Sequence, residues 1–288
     1  GKSIYFFEKA IELDPDFALA YVALADAEAM GSDPKAAEVT LRRAIELNDG
    51  LAQTHATLGF IRLFHYFDWP AAEAELKTAI GLDANYATAH HWLGVYYTVR
   101  GRFDEARVSM LRAQDLDPTS PVIISDLAQL HYFSGDFAKA LEYCESARAL
   151  DPERAWNYGL MSDIMVALGR ENEAFEALRQ WHRRLSVDPL KGDFEATNRE
   201  PRSVREFWQR QISNNRLALE RDPRRADLCE PLVRYNLLLG NDAEAVKYVD
   251  CVFEKGNRFT IAFFGVDPLY DPIRTEPVFQ AILKKMDL

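Results

Sequence analysis

Gly101, Gly135 and Gly169 stand 34 residues apart, each preceded by apolar residues at helical spacing and followed five residues later by Ala106, Ala140 and Ala174. Pro118 and Pro152 keep the same interval. Asp-Pro pairs recur at Asp14-Pro15, Asp188-Pro189 and Asp222-Pro223, the last two again 34 apart. A fixed period of this size marks a supersecondary element that cannot bury its apolar face alone and must stack on copies of itself. The spacing therefore predicts one array over most of the chain.

Within one period the physics is legible. Residues 87–100 (ATAHHWLGVYYTVR) put His90, Leu93, Gly94 and Tyr97 on one helical stripe, and residues 103–116 put Ala106, Met110 and Ala113 on another. Two amphipathic helices are predicted to face each other. Gly101 supplies the left-handed turn that ends the first, and small Gly94 and Ala106 let the backbones approach.

These residues resemble the tetratricopeptide repeat, whose slots hold an aromatic residue, Leu-Gly, Tyr, Ala, Phe and Pro in order. The repeat at 121 holds Ile124, Leu127, Ala128, His131, Ala140, Cys144, Ala147 and Pro152. The repeat at 18 holds Tyr21, Leu24, Ala25, Glu28, Ala37, Leu41 and Ala44, and that at 52 holds His55, Leu58, Gly59, Ala72, Leu76 and Ala79. The latter carries one extra residue, expected to lengthen its turn near Asp68-Trp69-Pro70. The repeat at 155 begins with Tyr158, Met161, Ser162 and Ala174 but has Trp181 where a small residue is expected, and a last one holds Cys229, Leu232, Gly240 and Ala245. The resemblance implies an all-α, right-handed superhelix, an α-solenoid of antiparallel helix pairs with a C-terminal capping helix. As one domain over 1–288 it divides into a half repeat (1–17), repeats at 18–51, 52–86, 87–120, 121–154 and 155–188, a divergent repeat with a linker (189–225), a repeat at 226–257 and a cap (258–288).

The irregular parts carry their own expectations. Residues 3–15 read as a second helix without a first, which predicts a fragment of a longer protein, and the opening Gly-Lys-Ser lacks the strand and glycine of a phosphate loop. Residues 186–200 have no period and read as a linker, followed by one long helix from Pro201 to about Glu220. Between 179 and 225 stand 12 Lys and Arg against 7 acids, a solvated helix face or a docking site for an acidic partner or parent domain. In the final stretch Thr275 is expected to cap a short helix with Pro277 in its first turn and Val278, Ile282 and Leu283 on its apolar face.

Composition excludes several function classes. A formal net charge of -11 repels nucleic acid and anionic lipid, so no direct nucleic-acid binding is expected. No apolar run reaches the length of a membrane helix, and residues 1–20 lack the pattern of a signal peptide. Three cysteines without a CxxC pair indicate neither a disulfide framework nor a zinc site and fit a reducing compartment, hence a cytoplasmic location, or a periplasmic one if the parent is membrane-anchored. His55, His90 and His131 fall in core slots, His65 and His182 are isolated, and no HxxxH or HExxH spacing exists, so no metal or cofactor is expected. Carboxylates are many, but nothing marks a catalytic pair, and Ser125 near His131 lacks a nucleophile elbow. The chain reads as non-catalytic.

A binding role is expected on the inner face lined by first helices. Offsets from the core slots place Val22, Asp26, Gln53, Phe60, Phe64, His91, Val95, Ser125, Gln129, Tyr132, Trp156 and Asp163 there. A protein or peptide segment would lie in this apolar, mildly acidic groove, anchored on Phe60, Tyr132 and Trp156. The other reading is that some of these rings fill gaps between repeats. In tetratricopeptide co-chaperones a Lys and Asn clamp holds a peptide carboxylate, and Val22, Asp26 and Thr57 stand in its places, so that clamp is absent. Residues 68–94 and 266–283 also resemble the C-terminal repeat region of bacterial signalling proteins, where such arrays follow winged-helix, Ser/Thr kinase or adenylate-cyclase domains. That likeness implies a regulatory arm, in possible intramolecular contact with an upstream effector domain. The rival readings are an accessory region of such an enzyme and a free-standing scaffold that self-associates through its unpaired first helix.

Overall fold

A computed structural model describes residues 2–31, 33–184 and 201–288. Among the described residues every regular element is helical, and they fall into two compact units, Gly1–Thr119 and Ser120–Leu288. The expected linker at 186–200 and the Asp188-Pro189 pair lie outside the described residues.

In the first unit, α1 (Lys2–Leu13) precedes three helix hairpins: α2 (Ala18–Met30) with α3 (Pro34–Leu47), α4 (Ala52–Ile61) with α5 (Trp69–Leu82), and α6 (Ala87–Val99) with α7 (Phe103–Leu116). Small residues set the approach. Ala25, Ala29, Ala37, Leu41 and Ala44 are wholly buried where α2 meets α3. A Cβ on Gly94 would lie 2.6 Å from Met110 Cγ, and one on Gly59 2.6 Å from Leu76 Cγ, so glycine is what admits those larger partners. Second helices start under aspartate caps: Asp33 Oδ1 accepts from Ala36 N and Asp68 Oδ1 from Ala71 N, with Pro34 and Pro70 in the first turns. Gly101 takes the left-handed turn at φ 68°.

The extra residue of the repeat at 52 is not in the turn at 68–70. α4 runs on into a π-helical turn, Arg62–Tyr66, closed by Phe67 at φ 53°. One inserted residue widens a helical turn from i→i+4 to i→i+5 closure, and Phe67 N duly donates to Arg62 O.

In the second unit, α8 (Pro121–Phe133) pairs with α9 (Phe137–Leu150) and α10 (Ala155–Ala167) with α11 (Glu171–Arg184). Gly135 and Gly169 make their turns at φ 80° and 70°. Trp181, in the slot meant for a small residue, finds its room over Gly159, whose added Cβ would sit 3.6 Å from the indole. The long helix, Val204–Arg221, starts under a Ser203 cap and buries Val204, Phe207 and Trp208 against Leu178 and Tyr235. Helix Cys229–Leu238 follows, and its partner is broken into Asp242–Val246 and Val249–Lys255.

Two further expectations differ from the structure. Cys229 and Cys251 form a disulfide between helix Cys229–Leu238 and helix Val249–Lys255, their Cα atoms 6.0 Å apart. A search for CxxC could not find it, because packing of two helices, not spacing along the chain, brings the sulfurs together. The final helix, Pro277–Lys285, has Glu276 at its N-cap with no side-chain hydrogen bond, so Thr275 is not the cap. Its buried face is Phe279, Ile282 and Leu283, with Val278 only half-buried.

Candidate functional site

The first helices of the first unit enclose an open pocket of about 220 Å³. Asp26 and Met30 come from α2, Ala56, Thr57 and Phe60 from α4, and Thr88 and Trp92 from α6, with Tyr86 just ahead of it. Thr57 Oγ1 donates to Asp26 Oδ1 at 2.5 Å, tying α4 to α2. Asp26 is exposed by area, yet its carboxyl sits low between the helices. Burial raises its pKa, and the Thr57 hydrogen bond pulls the other way. Tyr86 is raised as well, by burial first, against the lowering hydrogen bond to Thr88 and with the help of the Asp26 charge. The aromatic wall is continuous: Phe60 lies 4.9 Å from Trp92 and 5.2 Å from Phe64, ring centroid to centroid, and His91 lies 4.5 Å from Trp92.

The expected groove residues of this unit thus divide. Asp26 and Phe60 line the pocket, Asp26 exposed and Phe60 buried at 4%, and Gln53 is half-buried on the same helix as Phe60. Val22, Phe64, His91 and Val95 are buried, so their side chains pack between helices. Met30, Tyr86 and Trp92 were missed. Trp92 stands one residue past the expected His91, and a helix turned by one position brings it to the opening. Met30, 59% exposed, ends α2 beyond the core slots that sequence offsets count from.

In the second unit the chain itself covers most of the expected groove. Phe263 lies against Phe133 of α8, and Asp267 and Asp271 face Tyr132, which burial first and those charges next push upward. Tyr132 and Gln129 are buried; Tyr132 also packs on Phe137. Arg274 fastens this segment by donating to the carbonyls of Phe264, Gly265 and Asp267 at 2.6–3.0 Å, and Phe264, Tyr270 and Phe279 stack into one aromatic cluster. Ser125 donates to the buried Asn157 at 2.6 Å, and Asp163 is paired with Arg234. Trp156 alone of the expected groove residues here is largely exposed, at 49%.

The histidines also take defined places. His131 is buried and stacks on Tyr143. His55 and His90 are only half-buried, which corrects their reading as core rings: His55 Nδ1 lies 2.7 Å from Glu75 Oε2 and His90 Nε2 3.1 Å from Ala84 O. Tyr21 and Tyr158, in the same slot, donate to Pro15 O and Pro152 O, again six residues back. In these three repeats the slot pins the turn that leads into the repeat. Among the described residues no three His, Cys, Asp or Glu side chains gather as a metal site, and no helix is long and apolar enough to cross a membrane.

Residues 68–121 match the family model for the tetratricopeptide repeat. Anaphase-promoting complex subunit 3 of Schizosaccharomyces pombe is 21% identical over 176 residues, which cover 61% of this chain; the chain spans only 26% of that protein. Among solved structures, the hetero-tetramer Cut9-Hcn1 of the APC/C matches with a TM-score of 0.65 at 13% identity over 98% of this chain and 52% of that one. Pseudomonas aeruginosa pilF matches with a TM-score of 0.52 at 15% identity over 93% and 97%. These identities speak for fold, and tetratricopeptide-repeat proteins in general hold other proteins. The chain has the fold of a tetratricopeptide-repeat α-solenoid, with residues 68–121 matching the family model itself.

Proposed function

We propose that the chain is a non-catalytic interaction module whose first unit holds an extended segment of another protein along α2, α4 and α6. The observation that carries this is the open pocket bounded by Asp26, Met30, Phe60 and Trp92, where apolar surface and a carboxyl stay accessible. Burial of aromatic anchors in a preformed pocket is the usual source of affinity in such contacts. The expected anchor Tyr132 is buried, whereas Trp156 stays exposed and serves as a second, separate contact point. That this module serves a larger signalling or transcription-regulatory protein rests on the likeness of residues 68–94 and 266–283 noted above.

The test is selection of displayed random peptides on the chain. Peptides that bind the wild type and lose tenfold or more on Trp92→Ala, with an unchanged helical circular-dichroism signal, support the reading. Selected peptides indifferent to Trp92→Ala would sink it.

A further inference from the structure

We infer that the pocket between α2, α4 and α6 takes a basic side chain, the guanidinium or ammonium of an Arg or Lys in the bound segment. This rests on the groove reading above and names what the groove recognises.

The argument starts from Asp26. Its carboxylate accepts one hydrogen bond, from the Thr57 hydroxyl, through Oδ1. A carboxylate offers about four acceptor positions on two oxygens, so most of its capacity faces the pocket. No Lys or Arg among the described residues makes an ion pair with it. No Lys or Arg lines the pocket either. The carboxyl is exposed toward the pocket, and what hydration the helices take from it disfavours its charged form. An incoming cation removes that penalty.

The walls suit the same ligand. Half-buried Tyr86 and Trp92 line the pocket with Asp26, buried Phe60 backs Trp92, and a cation beside aromatic rings is attracted most strongly where water is partly excluded. Exposed Met30 offers a thioether for the methylene stem of a long side chain. An acidic ligand would meet Asp26 head on, and a purely aliphatic one would leave the carboxylate buried beneath it without a partner. The net charge of -11 draws basic segments toward the surface in the first place.

The experiment titrates the whole chain against fluorescein-labelled, capped peptide pools that are random except for a central residue fixed as Arg, Lys, Gln, Leu or Glu. The Arg and Lys pools should bind about tenfold tighter than the Gln and Leu pools, the size of one partly desolvated ion pair with ring contacts. Asp26→Asn, which keeps the shape and the Thr57 hydrogen bond, should erase that preference and leave the Leu pool unchanged. Binding of all pools with no basic preference, or a preference that persists in Asp26→Asn, overturns the inference and leaves the groove reading standing. A basic preference lost equally by wild type and Asp26→Asn on adding salt would mark diffuse attraction to an acidic surface, and also overturns it. If no pool binds, or binding survives Trp92→Ala, the groove reading fails with it.

Discussion

Phe133 and Phe263 stand with ring centroids 5.1 Å apart, joining the first helix of the second unit to its C-terminal segment. This contact makes the last residues part of the unit's core as well as its end. Removing the ring by Phe263→Ala should cost about 2 to 4 kcal/mol, the range for a large aromatic that is mostly enclosed. Urea unfolding gives the value, and hydrogen exchange should show faster exchange in both 258–273 and α8. Loss confined to the tail would mean that the two segments do not share a core.

Glu230 feels the charge of Asp267, which the C-terminal segment itself carries. Burial first, and Asp267 next, push Glu230 up to about 7. Burial pushes Asp267 up to about 6, against the Leu269 N–H and the charges of Arg234 and Arg274, with Asp271 adding to the rise. The folded chain therefore holds protons that the unfolded chain has released. Their contribution is fully present below the ordinary carboxylate range and is lost as pH rises through about 6 and then about 7. Stability should fall between pH 5 and pH 8 more steeply in the wild type than in Glu230→Gln. Parallel pH profiles for the two would refute the pairing.

Glycines at two helical positions should respond oppositely to alanine. Gly94→Ala places a Cβ 2.6 Å from Met110 Cγ and should cost about 1 to 3 kcal/mol by overpacking. Gly81→Ala meets nothing within 4 Å and should gain about 0.5 kcal/mol or be neutral through helix propensity. Melting curves of the two variants decide; a neutral Gly94→Ala would break the assigned packing of α6 on α7.

The Cys229–Cys251 bond closes a loop with a sequence separation of 22. Constraint of the unfolded chain by a loop of that size contributes about 3 kcal/mol. Reductant, or Cys251→Ser, should lower the unfolding midpoint accordingly. Cys144 offers no alternative thiolate, since burial pushes it up to about 12. An unshifted midpoint would show the two thiols unlinked in solution.

The paired helices, the glycine turns and the small residues at Gly94 and Ala106 could be read from sequence because each repeats at a fixed interval and answers a local demand. What could not be read depends on contacts between distant parts of the chain. Tyr132 occupies a groove slot by offset but is buried beside Phe133, on which Phe263 packs, and nothing in the spacing says where a non-repeating tail folds back. Cys229 and Cys251 failed for the same reason. The slot pattern points to His91, one position short of Trp92, because the opening is set by how α4 and α6 turn toward α2.

The widened turn at Arg62–Tyr66 bears on how such arrays change length. It stores a surplus residue between two fixed points, the seat of Gly59 on Leu76 and the Asp68 cap, so the following helix restarts in phase. Evolution and engineering can add or excise a residue there as a silent edit. Deletion of the exposed Tyr66 should melt close to the parent, whereas a deletion within 52–58 rotates the helix by about a quarter turn and carries the slots that follow off their partners. Alignment of these repeats therefore belongs around a gap inside the helix, and the loop beside it should be left ungapped.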